Sequence, residues 1–128
     1  MNVSREQALF ELLEEARERG ITIHSDAEAE ELLDWAAIRD GAHPEKYHAV
    51  TLGQDIFVRA AYVSDLRVLR EEMIHVEQQR AGIGTDQIIE AEIEARQLMI
   101  KNRRRWAFTN REIRAMMKEI RLLNRRLR

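Results

Sequence analysis

Between Leu69 and Gln79 the chain reads Leu-Arg-Glu-Glu-Met-Ile-His-Val-Glu-Gln-Gln. Among these side chains, Glu71, Glu72 and His75 are of types that hold metal ions or move protons and stand close together in the sequence. At about 100° per residue, Glu71 and His75 stand one helical turn apart on one face, with Glu72 beside them and Gln79 one turn on. The cluster borders the apolar stripe Leu66, Leu69, Met73 and Val76 instead of opposing it. Polar groups at such a border are partly desolvated, which is costly unless they are paired, metal-bound or functional. The following helix offers Glu90, Glu92 and Glu94. Glu90 and Glu94 share a face beside the Ile89/Ile93 edge, which is expected to pack inward, whereas Glu92 is expected to meet solvent. An ordinary alternative stands beside the chemical one: Glu71 and His75 as a plain i, i+4 pair on a solvated face, with Arg70 or Arg80 nearby.

The chain has no cysteine, which excludes disulfides, thiolate nucleophiles and cysteine-based zinc sites. Any metal must be held by His, Asp or Glu. A second E-x-x-H match, Glu45-Lys46-Tyr47-His48, follows Pro44 and runs into a strand, where helical spacing fails, so a di-iron carboxylate bundle is not expected. His43 and His48 flank a loop and could reach a groove. There is no glycine-rich phosphate loop and no G-x-S-x-G elbow.

The elements that must position these residues follow from caps and periods. Ser4 with Gln7 opens a helix carrying Leu9, Leu12, Leu13 and Ala16, which Gly20 ends. Residues 21–24 are β-prone, and Ser25 with Glu28 starts a second helix through Leu32, Leu33 and Trp35 to about Arg39. After the loop Asp40–Pro44, Tyr47–Leu52 and Ile56–Val58 form a hairpin about the turn Gly53-Gln54-Asp55. Ser64 or Asp65 caps the helix bearing the cluster, which reaches about Arg80. Residues 81–84 break it, and Thr85 or Asp86 caps a helix to about Arg104. Thr109 with Glu112 opens the last one, with Ile113, Met116, Met117, Ile120 and Leu123 as its apolar stripe. With 128 residues, the chain is expected to form a single α+β domain, mostly helical with a small sheet, in three parts: 1–46, 47–105 and 106–128.

A hairpin, a helix bearing Glu71-Glu72-Met73-Ile74-His75, and a later helix with Glu92-Ile93-Glu94-Ala95 together resemble the zincin metallopeptidase core. The texture is similar to the zincin-like toxin domains of bacterial polymorphic toxins, which read L-x-E-E-x-I-H-x-x-Q and then E-I-E-A. The resemblance covers roughly residues 47–105. It implies Glu71, His75 and Glu94 as metal ligands and Glu72 as the general base. Glu94 lies nineteen residues after His75 and Glu92 seventeen. Where the zincin motif has its first histidine, this chain has Glu71. Two carboxylates and one imidazole neutralise a divalent ion, so bound water is activated less, and preference shifts from zinc towards manganese, iron or magnesium. The resemblance further implies a peptide or protein substrate added as a strand to the hairpin edge Ile56–Arg59, and a toxin or effector role. A non-catalytic interaction domain that keeps the fold is the main alternative.

The formal charge of −2 conceals a division. Residues 1–100 carry 10 Lys and Arg against 21 Asp and Glu, a net of −11, whereas residues 101–128 carry 11 against 2, a net of +9. The basic terminal helix is expected to fold back on the acidic helices. Contact with nucleic acid, as in a nucleic-acid-targeting toxin, or with an acidic partner such as an immunity protein, are the other readings. No apolar run approaches the ~18 residues of a membrane span and no signal-peptide core is evident, so a cytoplasmic site of action is expected.

Overall fold

The computed structural model describes residues 3–127, apart from the side chain of Thr85. The described residues form five α-helices and one three-stranded sheet in the order α1 (Arg5–Glu18), β1 (Thr22–His24), α2 (Ala27–Arg39), β2 (Ala49–Leu52), β3 (Asp55–Val58), α3 (Leu66–Arg80), α4 (Ile88–Lys101) and α5 (Asn110–Arg126). This is a mostly helical α+β fold, as the sequence pattern indicates. No helix is long and apolar enough to cross a membrane among the described residues.

Side-chain caps fix most helix starts. Ser4 accepts from the Gln7 amide, Asp65 from Val68, and Thr109 with Glu112 closes a reciprocal capping box. The second helix is capped by Asp26, not Ser25: the Asp26 carboxylate accepts from the Ala29 amide. The fourth begins later than expected, because Thr85–Gln87 form a 3₁₀ turn, and α4 opens at Ile88 without a side-chain cap. It also ends at Lys101, three residues before Arg104.

The hairpin turn has two residues, Gly53 and Gln54, with Asp55 already in the strand. Gly53 takes φ +63, the left-handed region that such tight turns demand. Strand order is β1-β3-β2, with β1 parallel and β2 antiparallel to β3. The strand expected at the edge, Ile56–Arg59, is therefore the centre of the sheet, hydrogen-bonded on both sides. The free edge beside α3 belongs to β2.

Helix α3 lies between two apolar clusters. Leu69, Met73 and Val76 pack with Leu12, Ala16, Ile21, Ile56 and Val58 beneath the sheet and α1. On another side Ile74 joins Ala95, Met99 and Met116 of α4 and α5. The arc left between these two holds Glu71, His75, Gln79 and Glu72, about 100° wide by helical geometry. Burying α3 on two sides therefore aims this polar arc into the gap between sheet and α4.

The basic terminal helix departs from expectation. It packs on α4 through Met116, with Leu123 also buried, but none of the cations from Lys101 to Arg126 makes an ion pair among the described residues. The contacts run the other way: the acidic residues of α5 reach arginines of the body, Glu112 to Arg5 and Glu119 to Arg67 and Arg96. The reason lies in the helix itself, whose cationic stripe is opposite the apolar stripe that docks it.

Candidate metal centre

A cleft of about 1200 Å³ opens between β2, α3 and α4. Thr51, Glu71, Glu72, His75, Gln78, Glu92 and Arg96 are among its lining residues. Glu71, Glu72 and His75 each place one donor atom within 4.8 Å of the others, so the group could hold a metal ion. It is assembled within one helix: i, i+1 and i+4 spacing on a rigid element supplies all three donors.

Each donor has its own electrostatic state. Glu72 is almost wholly buried, and burial, followed by the neighbouring Glu71 charge, pushes its carboxyl up to about 8. A hydrogen bond from the Thr51 hydroxyl, 3.4 Å from Oε2, opposes this shift without cancelling it. Glu72 is thus a neutral acid at pH 7 until a cation displaces its proton. Glu71 Oε1 lies 3.3 Å from Arg96 Nη1 but lacks the alignment of a hydrogen bond, leaving a buried acceptor without a donor. An orphaned buried carboxylate oxygen beside a second carboxyl and an imidazole fits a hard or borderline divalent cation.

The orientation of His75 follows from hydrogen-bond accounting. Gln78 Nε2 donates to the Ala91 carbonyl and to Glu94 Oε1, both at 2.9 Å. Its Oε1 must therefore accept, and it lies 2.7 Å from His75 Nδ1. Nδ1 therefore carries a proton, and Nε2 is the ring nitrogen turned free for a metal ion.

Glu94, the expected third ligand, stands outside the donor group. It is exposed and one side chain away, at the far end of the relay Glu94–Gln78–His75. The three-residue group instead includes Glu72, the expected general base. Glu92 was expected to meet solvent and in fact lines the cleft, 3.5 Å from Arg96.

Arg70 and Arg80, considered as neighbours of the cluster, point away to Glu15 and to Glu77 respectively. The cation that does face it is Arg96 of α4, which also binds Glu119 Oε1 at 2.8 Å. Burial lowers the Arg96 pKa, but Glu71, Glu119 and Glu92 outweigh it and the net shift is upward. Arg96 gave no sequence signal beyond being, with Lys101 at the end, one of two cations on a helix with three glutamates. Gln78 did have one, since it sits three residues after His75 in the quoted pattern.

The strand side of the cleft is the outer edge of β2. The Arg59 amide bonds the His48 carbonyl, so by strand alternation Ala49 and Thr51 turn their backbone groups outward. Gln79 already engages part of that edge. Its Nε2 donates to the Thr51 carbonyl at 3.0 Å and its Oε1 accepts from the Gly53 amide at 2.9 Å. Compared with family models, curated proteins and solved structures, the chain finds no match.

Proposed function

We propose that this protein is a metal-dependent hydrolase with a zincin-like, peptidase-type site. The observation that carries the reading is the convergence of Glu71, Glu72 and His75 on one point at the floor of a cleft. Glu71 and His75 would hold the ion as the resemblance implies, and Glu72 completes the set in place of Glu94. When bound, a divalent ion would supply Lewis acidity towards a carbonyl oxygen and lower the pKa of water. Manganese, iron or zinc suit a donor set of two carboxylates and one imidazole, with the carboxylates favouring the harder ions.

The chain's own residues set the charge of the site, the orientation of its imidazole and the approach of a substrate. Glu72 yields its proton as the ion binds, so binding is coupled to pH. Gln78 and Glu94 hold the imidazole in the productive orientation. The β2 edge offers backbone groups of Ala49 to an extended peptide, which would lie alongside the cluster. That surface replaces the Ile56–Arg59 edge, which lies inside the sheet.

Elemental analysis and calorimetric titration with Mn²⁺ and Zn²⁺ test the site. The expected result is one equivalent of ion, lost in Glu71→Ala and His75→Ala, with metal-dependent cleavage of an unstructured protein such as casein. Absence of binding, or binding unchanged in both variants, refutes the metal centre; binding without hydrolysis leaves the interaction-domain reading in its place. The toxin role rests on the resemblance. It predicts growth arrest on expression in a bacterial cytoplasm, relieved by Glu71→Ala.

A further inference from the structure

We propose that the exposed arginine stripe of α5, with the basic turn before it, is a docking surface for the phosphodiester backbone of a nucleic acid. This goes beyond the metal centre and does not depend on it. Arg111, Arg114, Lys118, Arg121 and Arg125 are all exposed and follow a three–four–three–four spacing. By helical geometry they fall within an arc of about 80° and span about 21 Å of helix. Neighbouring charges are about 4.5–6 Å apart along the axis, comparable to the separation of phosphates on a nucleic-acid strand. Lys101, Arg103, Arg104 and Arg105 are exposed in the adjoining segment and extend the patch.

Three observations select this partner. None of these cations is neutralised within the protein among the described residues. The arc itself holds only cations, and the exposed apolar side chains Met117 and Leu122 lie singly on its two sides, not as the apolar core that anchors a protein interface. Of the apolar stripe of α5, Met116 and Leu123 are buried, Ile113 and Ile120 are partly buried and only Met117 is exposed, so little of that face is left to enter a lipid surface. The acidic remainder of the chain repels the same polyanion and restricts contact to this one face.

Fluorescence anisotropy with a labelled 20-base-pair duplex across 50–200 mM salt tests the assignment. Five phosphate contacts give a slope of about −4.5 in log K against log salt, an affinity loss of about 500-fold over that range. The triple variant Arg114→Gln/Lys118→Gln/Arg121→Gln should keep its circular-dichroism spectrum and lose only about 10-fold. The corresponding lysine variant, Arg114→Lys/Arg121→Lys, should keep the wild-type slope. A pair on another face, Arg17→Gln/Arg39→Gln, should also leave it unchanged. No binding at 50 mM salt, or a slope that the triple variant shares, overturns the proposal. So does binding to phosphatidylserine vesicles without binding to the duplex.

Discussion

Replacing Glu72 by glutamine should stabilise the metal-free protein at alkaline pH and do little at acid pH. The buried carboxyl has its pKa raised from 4.5 to about 8 in the fold. Between those values the folded chain keeps a proton that the unfolded chain releases. Stability therefore falls as pH rises, by about 1.4 kcal/mol per unit, and levels off above pH 8. The full shift corresponds to about 5 kcal/mol, a large fraction of the ~5–15 kcal/mol that holds a domain together. Glutamine mimics the protonated acid in shape and in its ability to meet the Thr51 hydroxyl, but it never ionises. Urea unfolding in EDTA, from pH 5 to pH 9, should show the gap between variant and wild type widening by about 4 kcal/mol. Because all other titrating groups are common to both proteins, the difference isolates Glu72. A gap that stays constant within about 1 kcal/mol would mean that Glu72 is already ionised in the fold, and would refute the reasoning. Adding Mn²⁺ supplies the converse. At about 100 times its Kd the ion should return about 2.7 kcal/mol to the wild type at pH 8 and nearly nothing to Glu72→Gln.

Arg96→Met removes the cation that faces Glu71 and should lower stability by about 2–3 kcal/mol in urea while raising Mn²⁺ affinity at least tenfold; a weakened affinity would show that Arg96 organises the site instead of competing for it. Gln78→Leu frees His75 Nδ1 and should cost about 10–100-fold in metal affinity by calorimetry, with an unchanged affinity ruling out the relay through Glu94. Ala107 sits at φ +59 in the turn before α5, and Ala107→Gly should raise the unfolding midpoint by about 0.5–1 kcal/mol equivalent; a loss would mean that its methyl group contributes packing worth more than the strain.

Helices were legible where a cap and a period coincide. Ser4 and Thr109 each announce a start that their side chains then fix by accepting a backbone amide, and of the two candidates Ser64 and Asp65 it is Asp65 that does so. The start of α4 was not legible, since a 3₁₀ turn intervenes and no side chain caps it. The sheet was legible only as a hairpin. Strand β1 has three residues, and its partner β3 lies about thirty positions on, with α2 and β2 between. Local pattern carries no record of such a pairing, so it does not distinguish the central strand from an edge.

The site divides along the same line between local and non-local information. Glu71, Glu72 and His75 sit on one helix, so spacing alone brings them together, and the structure assembles these three. Glu94 and Arg96 lie on α4, whose placement against α3 depends on how Ile74, Ala95, Met99 and Met116 interlock. A heptad count identifies the face of α4 but not which of its residues stands over His75; Gln78, reaching Ala91 and Glu94, lies between His75 and Glu94. Charge shows the opposite failure. The basic block suggested attraction to the acidic body, but α5 is held by its apolar stripe, and helical spacing then turns Arg114, Lys118 and Arg121 to the far side. Hydrophobic burial sets the orientation of a helix first, because a docked apolar stripe contributes several kcal/mol, whereas each exposed ion pair contributes only about 0–1. A charged stripe opposite a docked apolar stripe is thereby committed to solvent or to a partner outside the fold.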